Sequence, residues 1–132
     1  MANSGRSGKQ GQVPPGRVRI VAGKWRGRFL PVDDLPDLRP TSERIRETLF
    51  NWLAPVVTGA QCLDLFAGTG VLGLEALSRG AAGATLVERS PKVAATLRKS
   101  IATLGAGDAE LQVADAFAWL EDARPRAYDI VF

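Results

Sequence analysis

An α/β fold with a parallel sheet is the architecture that this sequence predicts, and two observations support the prediction. From Ala60 onward, short apolar segments typical of strands alternate with longer segments whose apolar residues recur at helical spacing. Strands joined by helices pair in parallel through right-handed crossovers. A glycine-rich turn, Gly68-Thr69-Gly70, follows the first of these strands, at the sheet edge where open α/β folds bind ligands. The predicted fold is therefore Rossmann-like.

The composition indicates a single globular domain rather than a membrane protein. Of the 132 residues, 45% are hydrophobic and 23% are charged. No apolar run approaches the ~20 residues of a membrane span. The sequence has no histidine and one cysteine, Cys62, which excludes an internal disulfide, a histidine base and the usual zinc sites. We therefore expect no metal site, and we expect Cys62 to be a buried strand residue.

The N-terminal residues 1–16 are polar and rich in glycine and serine. Such a segment buries too little apolar surface to order itself, so we expect a disordered tail. It also lacks the apolar core of a secretory signal peptide. The absence of this apolar core predicts a cytoplasmic protein.

Residues 17–32 predict a short basic β-hairpin. Val18 and Ile20 alternate with Arg17 and Arg19, which places the two pairs on opposite faces of a strand. A glycine then interrupts the alternation, and a second short strand follows. The apolar face is expected to be covered, and the arginines are expected to face outward.

Positive charge in and before the hairpin favours a nucleic-acid partner. Seven Lys or Arg residues precede the first acidic residue, Asp33. Such a block can contact phosphates, although it could also be only a solvated surface. Trp25 could stack on a base or pack beneath the hairpin, and the sequence leaves both alternatives open. The candidate RNA-binding residues are Arg17, Arg19, Lys24, Trp25, Arg26 and Arg28.

A first helix is predicted after a proline-punctuated stretch. Thr41 or Ser42 can cap it, and Pro55 is expected to end it. Arg46 lies off the apolar stripe, so we expect it to face solvent. The apolar stripe consists of Ile45, Leu49, Trp52 and Leu53.

Capping residues and glycines mark the remaining elements. Ser90-Pro91 begins a helix that Gly105 ends, Gly80 ends the helix before it, and Asp115 can cap a short helix containing Phe117 and Leu120. The predicted strands are 61–66, 84–87, 110–113 and 128–132, and the two longer helices are 69–79 and 91–104.

The glycine turn carries a pattern shared by two classes of cofactor site. Gly68, Gly70 and Gly73 form G-x-G-x-x-G, and Glu88 follows at the end of the second strand. A dinucleotide site, and hence an NAD-dependent oxidoreductase, is therefore an alternative. Glu88 suits the ribose hydroxyls of either cofactor.

Asp64 distinguishes the two cofactors. Its negative charge just before the turn would repel a pyrophosphate and attract the α-amino group of S-adenosylmethionine. Asp115, after the third strand, is suited to the adenine amino group. As alternatives, either aspartate could serve only as a cap.

Four motifs resemble those of a known family. They are RVRIVAGKWRGR at 17–28, LRPT at 38–41, RIRETLFNWL at 44–53 and DLFAGTG at 64–70. In this order they are similar to the bacterial rRNA small subunit methyltransferase D family. The resemblance extends from about Arg17 to the last residue.

The resemblance implies methyl transfer from S-adenosylmethionine to the exocyclic N2 of a guanine in 16S rRNA. It implies a class I methyltransferase sheet, of which residues 38–132 hold about four strands, with the basic hairpin 17–32 as an RNA-binding arm. The implied partner is 16S rRNA or the small ribosomal subunit, and a monomer is expected. The implied cofactor-binding residues are Arg39, Thr41, Asp64, Phe66, Gly68, Gly70, Glu88, Asp115 and Ala116.

The sequence departs from the family at its end. Amino-methylating relatives carry Asp or Asn, two prolines and an aromatic directly after the fourth strand, where this sequence ends at Phe132. Those groups hold the target amino group in line with the methyl donor. We therefore assign no catalytic residue and expect this fragment to bind cofactor without useful methyl transfer. A non-catalytic RNA- or cofactor-binding module remains an alternative.

Overall fold

The computed structural model describes residues 16–33, 41–122 and 128–132. The predicted tail, apart from residue 16, and Arg39 lie outside the described residues. The elements are β1 (Arg17–Arg19), β2 (Phe29–Pro31), α1 (Glu43–Val57), β3 (Gln61–Asp64), α2 (Val71–Ser78), β4 (Gly83–Glu88), α3 (Pro91–Leu104), β5 (Ala109–Val113), α4 (Ala116–Asp122) and β6 (Ile130–Val131). In the part described, no helix is long and apolar enough to cross a membrane.

The sheet has the predicted parallel topology. Its strand order is β5-β4-β3-β6, and all three neighbouring pairs are parallel. Both faces of β4 are covered, with Leu86 and Val87 fully buried. Because parallel strands end on the same side, β3, β4 and β5 bring Asp64, Glu88 and Asp115 to one edge of the sheet.

The predicted caps are present. Ser42 and Ser90 each accept a hydrogen bond from the backbone N–H three residues later, at 3.3 and 3.2 Å. Gly105 ends α3 in the left-handed conformation, at φ 67°. Asp115 Oδ2 accepts from the N–H of Ala118 at 3.0 Å, so this aspartate does cap α4.

Helix α1 differs from the prediction in two respects. Pro55 lies inside the helix, which continues to Val57; its missing N–H removes one helical hydrogen bond, and only two residues of the helix follow it. Arg46, expected in solvent, is 1% exposed, while Ile45 and Trp52 of the supposed apolar stripe are 61% and 76% exposed. The helix turns Arg46 inward because a buried carboxylate on α2 pairs with it.

The apolar face of the hairpin packs against the helices. β1 and β2 pair antiparallel, and Val18 and Ile20 are buried as predicted. Trp25 is 8% exposed, and its backbone N–H donates to Ser78 Oγ at 3.0 Å. Trp25 therefore packs beneath the hairpin, which is the second of the two alternatives, and little of its ring is left exposed for stacking on a base.

Candidate functional site

The turn between β3 and α2 requires its glycines. Gly68 and Gly70 have φ values of 56° and 81°, a region that other residues rarely adopt. A side chain at Gly70 would also collide with Leu97 of α3, and one at Gly73 would collide with Leu86 of β4. Close packing therefore places the N-terminus of α2 at the sheet edge where β3 ends with Asp64, and the first N–H of the helix, that of Val71, donates to Thr69 Oγ1 at 3.3 Å.

Asp64 is a buried carboxylate without a cationic partner among the described residues. It is 4% exposed, and Oδ1 accepts one hydrogen bond, from the N–H of Phe66 at 3.1 Å. Burial raises the pKa of Asp64 to about 6; the Phe66 hydrogen bond opposes this rise, and the charge of Glu88 adds to it. A cationic ligand would relieve the unfavourable burial of this charge.

Glu88 connects the glycine turn to the start of α3. One carboxylate oxygen accepts from the N–H of Gly68 and the other from the N–H of Ser90, both at 2.9 Å. Each carboxylate oxygen can accept a second hydrogen bond, so capacity for ligand hydroxyls remains. The sequence predicted a ribose contact here but did not predict this support of the turn.

Two exposed aromatics flank the carboxylates. Phe66 and Phe117 are 71% and 70% exposed, and their rings meet edge to face with centroids 6.5 Å apart. Phe66 was among the predicted site residues, whereas Phe117 was regarded only as an apolar residue of α4. Their contact brings the segments after β3 and β5 together at the same edge, next to the buried Ala116.

The structure separates the predicted site residues into two groups. Asp64, Gly68, Gly70 and Glu88 lie together, linked by the contacts given above. Thr41 instead lines a cleft with Arg17 and Arg19 of the hairpin, and its carbonyl accepts from Nε of Arg46 on α1 at 3.1 Å.

Most hairpin cations are exposed. Arg17, Lys24, Arg26 and Arg28 are solvent-facing. Arg19 differs, because Glu43 pairs with it at 2.7 Å and raises its pKa mainly through that hydrogen bond. The exposed cations therefore provide most of the hairpin charge available to a polyanion.

Sequence comparison agrees with this architecture. The family model described as Conserved hypothetical protein 95 matches residues 18–132. The chain belongs to the Conserved hypothetical protein 95 family. This match covers the hairpin, the glycine turn and every strand of the sheet.

Two relatives of this chain are named as rRNA methyltransferases. The ribosomal RNA small subunit methyltransferase D of Escherichia coli (strain K12) is 57% identical over 117 residues, covering 89% of this chain and 59% of that protein. The Buchnera aphidicola (subsp. Acyrthosiphon pisum, strain APS) protein of the same name is 43% identical, covering 88% and 61%. The resemblance seen in the motifs is confirmed, and the chain spans 59% and 61% of these relatives' lengths.

A solved structure confirms the class I methyltransferase fold. The structure of yhhF from Escherichia coli, a candidate methyltransferase, superposes with a TM-score of 0.81 at 53% identity, covering 88% of this chain and 62% of that one.

Proposed function

We propose that this chain forms the cofactor-binding part of a methyltransferase that uses S-adenosylmethionine to methylate the exocyclic N2 of a guanine in 16S rRNA. The names of its relatives support the reaction class and the RNA substrate. The observation on which the cofactor assignment rests is the buried Asp64 carboxylate beside the N-terminus of α2. The partner would be 16S rRNA or the small ribosomal subunit.

The residues at the sheet edge fit this cofactor chemically. Asp64 would bind the α-amino group, because a buried carboxylate is stabilised by a neighbouring positive charge. Glu88 would accept from the ribose hydroxyls, and Asp115, exposed apart from its capping bond, would accept from the adenine amino group. When bound, the cofactor supplies an electrophilic methyl group.

The exposed face of the hairpin would bind the RNA backbone. Arg17, Lys24, Arg26 and Arg28 project from a surface that β1 and β2 hold in place by packing their apolar side chains inward. Phosphate contacts from such side chains give affinity without reading sequence. The identity of the methylated nucleotide would then depend on other parts of the protein.

Calorimetric titration of the purified chain with S-adenosylmethionine and with NADH tests the cofactor assignment. We expect S-adenosylmethionine to bind and Asp64→Asn to weaken it at least tenfold, since the buried charge is lost. Asp108→Asn, which removes the same charge at an exposed position, should leave the affinity within twofold. Binding of NADH in preference to S-adenosylmethionine would overturn the assignment and favour the oxidoreductase alternative.

A further inference from the structure

Glu75 is a buried carboxylate outside the cofactor edge, at the junction of α2, α1 and the hairpin. It has no exposed surface. Its Oε1 accepts from the N–H of Val21 at 2.9 Å, and its Oε2 accepts from the N–H of Ala22 at 3.1 Å. The backbone that leaves β1 is therefore held by a side chain on α2.

Two arginines complete the coordination of this carboxylate. Arg46 Nη1 lies 3.1 Å from Oε1, and Arg79 Nε lies 2.8 Å from Oε2. Burial lowers the pKa of Arg46, and the charge of Glu75 opposes this effect. Arg46 Nη1 also donates to the carbonyl of Arg19 at 2.8 Å, so α1 is hydrogen-bonded to β1 as well.

A carboxylate suits this position better than any neutral side chain. All four partners of Glu75 are N–H donors, and a carboxylate offers only acceptors. Glutamine would place an amide NH2 against either Val21 and Arg46 or Ala22 and Arg79. It would also leave the guanidinium groups of Arg46 and Arg79 without their counterion, and that of Arg46 is buried.

Ser78, one turn after Glu75, provides a second anchor for the hairpin. Its hydroxyl accepts from the N–H of Trp25 at 3.0 Å and donates to the carbonyl of Ala22 at 2.6 Å. The N–H of Lys24 donates to the Ser78 carbonyl at 2.9 Å. Gly23 lies so close to that carbonyl that a Cβ there would collide with it.

We infer that Glu75 is a positioning residue that fixes the basic hairpin relative to the glycine turn. Helix α2 begins at the turn and carries Glu75 and Ser78 on its following turns, so one short rigid element connects the two surfaces. RNA held by Arg17, Lys24 and Arg26 is thereby presented at a set distance from the cofactor. This role rests on the proposed function, whereas the fixed geometry can be measured without either ligand.

Spin-label distances test the geometry directly. Labels at Arg26→Cys and Lys92→Cys, with buried Cys62 changed to Ala, report the position of the hairpin against α3. We expect a narrow distance distribution that broadens clearly in Glu75→Gln and less in Ser78→Ala, which loses only hairpin contacts. Glu47→Gln removes the same charge from an exposed position on α1 and should leave the distribution unchanged.

Binding of transcribed 16S rRNA and of S-adenosylmethionine supplies the second readout. We expect Glu75→Gln to weaken RNA binding at least tenfold more than cofactor binding, at a temperature where the variant is folded. If Glu75→Gln does not fold, Ser78→Ala should also weaken RNA binding more than cofactor binding, although by a smaller factor. A lowered melting temperature with unchanged distances and RNA affinity would overturn the inference. A parent protein that binds neither ligand would overturn the proposed function, while the distances still decide the positioning role.

Discussion

The carboxylate of Glu88 accepts a hydrogen bond from the backbone N–H of Gly68 at 2.9 Å, across 20 residues of sequence. Its second oxygen accepts from the N–H of Ser90 at 2.9 Å. These bonds hold the glycine turn and the start of α3 in the absence of ligand, which reduces the ordering cost of binding. Glu88 therefore shapes the site as well as offering acceptors to it.

Glu88→Ala should weaken S-adenosylmethionine binding at least thirtyfold, because it removes both the proposed ribose acceptor and the support of the turn. Calorimetry measures the affinity, and amide hydrogen exchange measures the support. We expect faster exchange at Gly68 and Ser90 in the unliganded variant. Glu121→Ala, an exposed charge removal on α4, is the matched control. Unchanged exchange at both amides would show that the turn does not depend on Glu88.

Cofactor affinity should depend on pH through Asp64. In the proposed site the ionised form would bind the α-amino cation, and the pKa of Asp64 is raised to about 6, mainly by burial. With this pKa the ionised fraction falls about tenfold from pH 7 to pH 5, and affinity should fall with it. Titrations across this range should show the slope in the parent protein and lose it in Asp64→Asn. An equal slope in both proteins would assign the titration to another group.

The same carboxylate should lower the stability of the unliganded protein at neutral pH. Between the ordinary value of 3.8 and the folded-state pKa of about 6, the folded state binds more protons than the unfolded state. Stability therefore falls as pH rises through this window, by up to about 3 kcal/mol. Urea unfolding at pH 4 and pH 7 should show this loss, and Asp64→Asn should be the more stable protein at pH 7. A variant less stable at pH 7 would contradict the raised pKa.

Elements with local signals were predictable from the sequence. The Ser90-Pro91 start and the Gly105 end of α3 involve residues adjacent in the chain, and the structure has both. The same holds for the glycine turn, where Gly68 and Gly70 have left-handed φ values that favour glycine. Such features follow from backbone geometry, which a short segment determines by itself.

Features that depend on distant partners were missed. Arg46 lies at a position that indicates a solvent-facing charge, and its burial depends on partners that include Glu75, 29 residues later, and the carbonyl of Arg19. The support of Gly68 by Glu88 likewise joins residues on two strands. For Trp25, the sequence left two alternatives open, and its burial beneath the hairpin favours packing. Tertiary contacts override local patterns at these positions.

Gly70→Ala should destabilise the protein more than Gly105→Ala, although both positions have positive φ, at 81° and 67°. Each substitution incurs backbone strain of about 1–2 kcal/mol. At Gly70 the added methyl also meets Leu97, whereas at Gly105 nothing lies within 4 Å. We expect the difference between the two variants in urea unfolding to be at least about 1 kcal/mol, from this overpacking. Equal losses would mean that the Leu97 side chain moves aside without cost.

Removing exposed hairpin charges should lower both RNA affinity and its dependence on salt. The variant Arg17→Ala, Lys24→Ala, Arg26→Ala leaves Arg19 in place, since Glu43 pairs with it. Loss of three phosphate contacts to single-stranded RNA should reduce the slope of log affinity against log salt by about 2. Filter binding of 16S rRNA at several salt concentrations measures this slope.

The control for the hairpin variant removes three exposed cations elsewhere, through Arg44→Ala, Lys92→Ala and Arg98→Ala. Its net charge matches that of the hairpin variant, so general attraction to RNA falls equally. Only direct phosphate contacts distinguish the two proteins, because screening removes the long-range effect of exposed charges at physiological salt. Identical slopes for the two variants would show that the hairpin acts through charge alone and holds no phosphate.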